Sequence, residues 1–319
     1  MKKNKNYTSI LESKVNAESS QEAEKTLIDN VVVFLPIVYI FSVSCYMLYH
    51  RAWFSPDQFF AFAMIAVIFI GRTKQFLKDW IPLLLFLFGY EYLRGIIPNL
   101  ISRAHTTPMI TADVMIFGYI PTVKFQEILF NANHLRWYDY LSVILYSSHF
   151  FVPIFFAFIV WLYDRKQFRR YSAAFLILSY LAFFTYIIFP ATPPWMASNQ
   201  GYLPPLNKIM DIVYGSFSYP ISVPSIYKFF GINLVAAFPS LHAAYPWIIF
   251  LFIRNKSKML SYISLTYVLG VWFSVIYLGE HYFVDVVAGM MYATFAYYIV
   301  KKYDTYKKKS QPLTAYSNG

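Results

Sequence analysis

The chain has 319 residues, of which 58% are hydrophobic and only 13% charged. An ordinary soluble domain is about one quarter charged, and the mean hydropathy here is +0.45. A cytosolic enzyme and a disordered chain are excluded, and the single cysteine, Cys45, rules out a disulfide scaffold. The net charge of +11 reads, in such a chain, as basic cytoplasmic loops rather than a nucleic-acid surface.

A bilayer core of about 30 Å needs roughly 20 mostly apolar residues per helix. Eight segments qualify: 30–49, 53–71, 79–101, 140–163, 171–189, 238–253, 259–278 and 282–300. The sixth is short for a span. The fold class expected is an all-α, polytopic transmembrane helical bundle with a six-helix catalytic core. Residues 1–28 read as a flexible cytoplasmic tail and 29–78 as an accessory hairpin. Residues 79–300 read as the catalytic membrane domain and 301–319 as a second, basic tail. With the N-terminus inside, 20 of the 27 Lys and Arg residues fall on the inner side and six on the outer side, Arg94 lying within a span. That asymmetry places both termini in the cytoplasm.

Two outer connections are long. In 102–139, Pro121 precedes Phe125, Ile128, Leu129, Ala132 and Leu135, a helical spacing that predicts a short helix on the membrane surface. The other, 190–237, is rich in Pro, Tyr and Ser and poor in charge, as expected of a segment that caps a cavity. Trp195, Tyr202 and Tyr219 fit a headgroup belt, and Pro153 and Pro246 are placed to kink helices.

Ionisable groups in or beside spans are expensive and usually functional. Phe238-Pro239-Ser240-Leu241-His242-Ala243 reads as a helix start, with His242 in the first turn and free backbone N–H groups at the end. His281 and Asp285 are four residues apart, a spacing that shares a helix face. The topology brings His242, His281 and Asp285 to one membrane face. Two histidines, one oriented by a carboxylate, can supply a nucleophile and an acid–base pair. The competing reading of each histidine alone is a helix-end residue satisfied by a loop carbonyl. Zinc ligation by the same three groups is the other alternative; it ranks low because no cysteine or further histidine is near in sequence.

The two histidine segments, with Gly289, resemble the second and third signature motifs of the type-2 phosphatidic acid phosphatase (PAP2) superfamily. Pro-Ser-Leu-His, rather than Pro-Ser-Gly-His, is closer to its inositol phosphorylceramide synthase branch. The stretch from Phe189 to Trp195 is similar to that branch's proline-rich segment at the first motif, and Tyr90 to Gly95, Pro121 to Val123 and His149-Phe150 are similar as well. The resemblance implies that His281 attacks phosphorus and becomes a phosphohistidine. Asp285 would hold its tautomer. His242 would protonate the leaving lipid alcohol and then deprotonate the acceptor. It also implies no metal or organic cofactor.

The departures matter. The phosphatases carry Lys and Arg in the first motif and an Arg before the third-motif His. Here nothing basic occurs from Tyr171 until Lys208, and Val275 occupies the arginine position. A phosphodiester carries one negative charge where a monoester carries nearly two, so fewer cations suffice. The expected reaction moves a phosphodiester head group, phosphoinositol, from a phosphatidylinositol-like donor to a lipid hydroxyl such as that of ceramide or diacylglycerol. A lipid phosphate or polyprenyl pyrophosphate phosphatase is the first rival and a transporter the second. Candidate substrate-binding residues are Arg94 with Glu91, Ser240, His149, Arg136 and Asp139. Five of them have a plain structural alternative: ion pairs for Glu91–Arg94 and Arg136–Asp139, interhelical hydrogen bonding for His149. The sequence names no partner subunit.

Overall fold

The computed structural model describes residues 71–216 and 234–309, with Val38, Ala63 and Val67. The rest of the first two expected spans, the N-terminal tail, Tyr219 and residues beyond 309 lie outside them. The chain divides into two compact units, 1–81 and 82–319.

Among the described residues the protein is helical, without a β-strand. The helices are α1 (Thr73–Arg94), α2 (Thr107–Phe117), α3 (Pro121–Leu129), α4 (Trp137–Ser147), α5 (Val152–Tyr163), α6 (Arg165–Ile188), α7 (Pro194–Asn199), α8 (Ile209–Ser216), α9 (Leu241–Ile253), α10 (Lys258–Tyr277) and α11 (Phe283–Lys309). Four are long and apolar enough to cross a membrane: α1 with its 3-10 extension to Arg103, α6, α10 and α11. The pair α4–α5 makes a fifth if counted as one span, but it is bent by 56°. The described residues therefore give fewer full-length spans than the six expected from residue 79 onward.

Two local causes account for the difference. The predicted span 140–163 breaks around a short 3-10 turn, Ser148–Phe150, and Pro153 stands at the second position of α5, where its missing N–H costs nothing. The predicted span 238–253 becomes α9, 13 residues long with Pro246 inside. At about 1.5 Å per residue it rises roughly 20 Å, too little to cross alone.

Capping explains the helix starts. Asp164 accepts from the backbone N–H groups of Lys166 and Gln167 at 3.0 and 2.9 Å and opens α6. Ser240 accepts from the Ala243 N–H at 3.2 Å and opens α9. Asp139 accepts from the Arg136 N–H at 2.7 Å and opens α4.

The core is a layered bundle in which α9 packs against α10 and α11, α11 against α6, and α10 against α4. Buried and half-buried polar pairs knit it: Ser179–Tyr245 at 3.0 Å, Thr185–Tyr292 at 2.8 Å and Trp247–Thr294 at 2.8 Å. Such bonds hold helices together where apolar lipid offers no hydrophobic drive.

The helix α3 exists where the proline spacing placed it, and it ends at Leu129. Its buried residues are Pro121, Thr122 and Gln126, while Ile128 is 64% exposed. Its polar face grips the protein. Gln126 Nε2 donates to the carbonyls of Tyr277 (3.1 Å) and Asn207 (3.0 Å), pinning the turn between α10 and α11.

Candidate active site

The site forms where α6 and α10 end and α9 and α11 begin. Three extended segments meet there. His105 pairs with Ala191, and Ala191 with Ala236, each as an isolated parallel bridge. The Ala191 N–H donates to Val235 O at 2.9 Å, and the Ala237 N–H donates to Ala191 O at 3.2 Å. This small platform fixes the Ala237 carbonyl.

That carbonyl is the closest partner of His281. Nδ1 of His281 lies 2.9 Å from Ala237 O and 3.5 Å from Asp285 Oδ2. His281 does not share a helix with Asp285 as its spacing suggested: α11 begins at Phe283, and His281 sits on the turn before it. Asp285, in the first turn of α11, is fully buried and accepts the Tyr282 N–H at 2.9 Å. Its own carbonyl accepts the Ser240 N–H at 3.0 Å. One residue thus ties the His281 turn to the start of α9.

With a carbonyl as its partner, Nδ1 of His281 carries the proton and Nε2 keeps its lone pair. Nε2 lies 3.1 Å from Nδ1 of His242. The two imidazoles, brought from α9 and the α10–α11 turn, touch through the nitrogens that chemistry would use. The far nitrogen of His242, Nε2, is buried without a hydrogen-bond partner. Aromatic groups from the break in the fourth predicted span hold its ring: Tyr146 stacks at 4.1 Å between centroids, and His149 packs at 3.8 Å. Nδ1 of His149 is 2.9 Å from Tyr146 O.

Arg94 pairs with Glu91 through Nη2 at 2.8 Å. Ser240 is fully buried with its hydroxyl engaged in the α9 cap. Asp139 is likewise fully buried: one oxygen caps α4 and the other accepts from the Tyr277 hydroxyl. Arg136 reaches the Tyr138 hydroxyl at 3.1 Å. Among the described residues, no group of three His, Cys, Asp or Glu side chains is arranged to hold a metal ion.

Several contributors escape sequence reasoning. Asp113 on α2 is fully buried and accepts the N–H groups of Phe283 and Val284 at 3.0 Å each, capping α11 from another helix. Burial pushes its carboxyl up to about 6, against the two N–H donors that lower it. An acid amid the apolar run of 109–117 was the available signal. Thr122 Oγ1 lies 3.4 Å from His281 O. Trp272 Nε1 donates to Ala243 O at 3.0 Å and Tyr186 to Pro239 O at 2.8 Å, both steadying the α9 start. The backbone N–H of Trp195, a residue expected in a headgroup belt, donates to Gly279 O at 3.1 Å.

Comparison with known proteins fits this geometry. The chain is 26% identical over 270 residues to a phosphoinositol dihydroceramide synthase of Bacteroides thetaiotaomicron, covering 82% of this chain and 87% of that protein. It is 30% identical over 155 residues to an inositol phosphorylceramide synthase of Candida albicans, and 29% identical over 163 residues to the catalytic subunit of that synthase from Saccharomyces cerevisiae. The match covers 45% and 41% of this chain but only 31% and 38% of those fungal proteins. No solved structure matches the chain. The family model of the PAP2 superfamily matches residues 123–299, which hold both histidine motifs and exceed half the chain, and the chain therefore belongs to the PAP2 superfamily.

Proposed function

We propose that this integral membrane protein transfers a phosphoinositol head group from a phosphatidylinositol-like donor to the hydroxyl of a ceramide-type lipid, through a phosphohistidine. The observation that carries the mechanism is the 3.1 Å approach of His242 Nδ1 to His281 Nε2, with His281 Nδ1 held by a carbonyl. Nε2 of His281 attacks phosphorus, and the bond from phosphorus to the diacylglycerol oxygen breaks. Protonated His242 gives its Nδ1 proton to that oxygen. The acceptor hydroxyl then returns its proton to His242 as its oxygen attacks phosphorus and the N–P bond breaks, so the cycle closes without net proton change. Asp285 steadies the positive charge that His281 acquires, and Arg94 meets the phosphate.

The name of the Bacteroides relative supports both the head group and the acceptor class. The charge pattern supports a diester. Val275, in the position of a phosphatase arginine, is fully buried in an apolar cluster with Ala243, Val271, Ile276 and Val286. Its carbonyl accepts the N–H groups of Glu280 and His281 at 3.2 and 3.1 Å. A cation there would lose that packing. Purified protein offered phosphatidylinositol and ceramide should yield inositol phosphorylceramide and diacylglycerol, while phosphatidic acid is a poor substrate. Rapid release of inorganic phosphate from phosphatidic acid, with no head-group transfer, would favour the phosphatase instead.

The site faces away from the cytoplasm on the charge asymmetry of the loops. A Tyr202→Cys variant in a Cys45→Ser background, exposed at a residue 56% accessible, should react with an impermeant maleimide from the outer side. Reaction from the cytoplasmic side alone would reverse the orientation.

A further inference from the structure

A helix start is normally capped by one side chain; the start of α11 takes two carboxylates. The Tyr282 N–H donates to Asp285 Oδ2 at 2.9 Å. The next two N–H groups, of Phe283 and Val284, donate to Asp113 Oδ2 and Oδ1 at 3.0 Å each. His281 directly precedes this run of three residues. Asp113 belongs to α2, so the turn that carries His281 is held by a second helix. Phe117, one turn further along α2, meets the Phe283 ring edge-on at 4.9 Å between centroids.

The helix α2 turns its one acid inward. Met109 and Asp113, one turn apart, are buried, while Val114, Met115 and Ile116 are exposed. Met109 clusters with Ala191, Ala237 and Tyr282. The titratable groups that face Asp113 are Asp285 and the Tyr282 hydroxyl, both at the α11 start. A buried carboxylate beside a like charge is costly. Burial pushes the Asp113 carboxyl up to about 6, the Phe283 and Val284 N–H groups oppose that, and the charge of Asp285 adds to it. A carboxylate offers two acceptor oxygens, whereas in a carboxylic acid or an amide one of the two positions becomes a donor. Only the ionised side chain can therefore hold both N–H groups fully.

We infer that Asp113 is a positioning residue of the transfer reaction: its ionised carboxylate, accepting two successive N–H groups from another helix, fixes the turn on which His281 attacks phosphorus and Asp285 supports it. Protonation gives up one of the two bonds and loosens the turn, so turnover follows the ionisation of Asp113 while the fold does not depend on it. The folded protein binds this proton more tightly than the unfolded chain does. The contribution of Asp113 to stability thus falls as pH rises from about 4 to about 6, the range over which its contribution to rate grows. The inference rests on the head-group transfer reading.

Asp113→Asn reproduces the protonated side chain at every pH. The test compares kcat, KM for phosphatidylinositol and thermal midpoint of this variant and the wild type, full-length in detergent with ceramide as acceptor. At about pH 8 the variant should lose about tenfold in kcat, the worth of one hydrogen bond to a charged group. Its KM should stay within about twofold of wild type, and it should melt no lower. Toward about pH 5 the two kcat values should converge, because the wild-type side chain is then protonated too and the other titrating groups are shared. A kcat ratio that stays constant over this range, equal turnover at about pH 8, or a variant that melts well below the wild type or does not fold overturns the assignment. Wild-type transfer in those cases leaves the functional reading standing. Wild-type protein that moves no head group from phosphatidylinositol removes both.

Discussion

His281→Ala should abolish transfer and leave no covalent phospho-enzyme, because Nε2 of His281 is the group held 3.1 Å from the proton carrier His242. Asp285→Asn should be severe but smaller. Loss of an orienting carboxylate in a serine-protease triad costs about ten-thousandfold. Here the Ala237 carbonyl, at 2.9 Å, is closer to His281 Nδ1 than the carboxylate at 3.5 Å and fixes the tautomer by itself. The carboxylate's remaining task is electrostatic, so a fall of roughly a hundredfold to a thousandfold in kcat is expected. KM for the donor lipid should change little. Wild-type turnover in His281→Ala would remove the nucleophile assignment; a ten-thousandfold loss in Asp285→Asn would mean the carboxylate, not the carbonyl, holds the ring.

Gly289→Ala should be nearly as damaging, although Gly289 touches no substrate. A Cβ there would stand 2.2 Å from Ser240 O and 3.2 Å from Ser240 C. These are backbone atoms at the start of α9, locked by the Ser240 cap and by the Ser240 N–H bond to Asp285 O. They cannot swing away as a side chain can. The helices must part, which costs about 1–3 kcal/mol of packing, and His242 moves with α9. A displacement near 1 Å costs about a hundredfold in rate. Gly270→Ala is the matched control: its Cβ would meet only Leu145 Cδ1 at 3.1 Å, the end of a flexible side chain. Thermal midpoints and kcat of both variants separate the effects. A Gly289→Ala protein with wild-type rate would show that the close approach of α9 and α11 is not needed.

The histidine motifs were legible because their chemistry is local. Pro239-Ser240 opens a helix and puts His242 in its first turn, as the structure has it. The approach of His242 to His281 was legible only as a shared membrane face. What the sequence could not carry was the partner of His281: a backbone carbonyl has no side-chain signature, and Ala237 lies 44 residues away, on a platform made of isolated bridges rather than strands. Asp113 was hidden for the same reason, capping α11 across 170 residues. Hydropathy misled most at the fourth predicted span. Residues 140–163 hold no Asp, Glu, Lys or Arg, yet the chain turns by 56° there, and the turn delivers Tyr146 and His149 to His242. Apolar composition states that a segment avoids water, not that it is straight. In α3 polar Thr122 and Gln126 are buried against protein alongside the packed Phe125 and Leu129, while Ile128 faces outward, because in lipid the surroundings are as apolar as any core.

The central claim is a two-step transfer through His281, and stereochemistry at phosphorus tests it most directly. Each in-line displacement inverts the configuration, so attack by His281 followed by attack by the acceptor returns it. Phosphatidylinositol made chiral at phosphorus with sulfur, offered with ceramide, should give inositol phosphorylceramide of retained configuration. Inversion would mean that the acceptor attacks the donor lipid in one step, and His281 would then be no nucleophile.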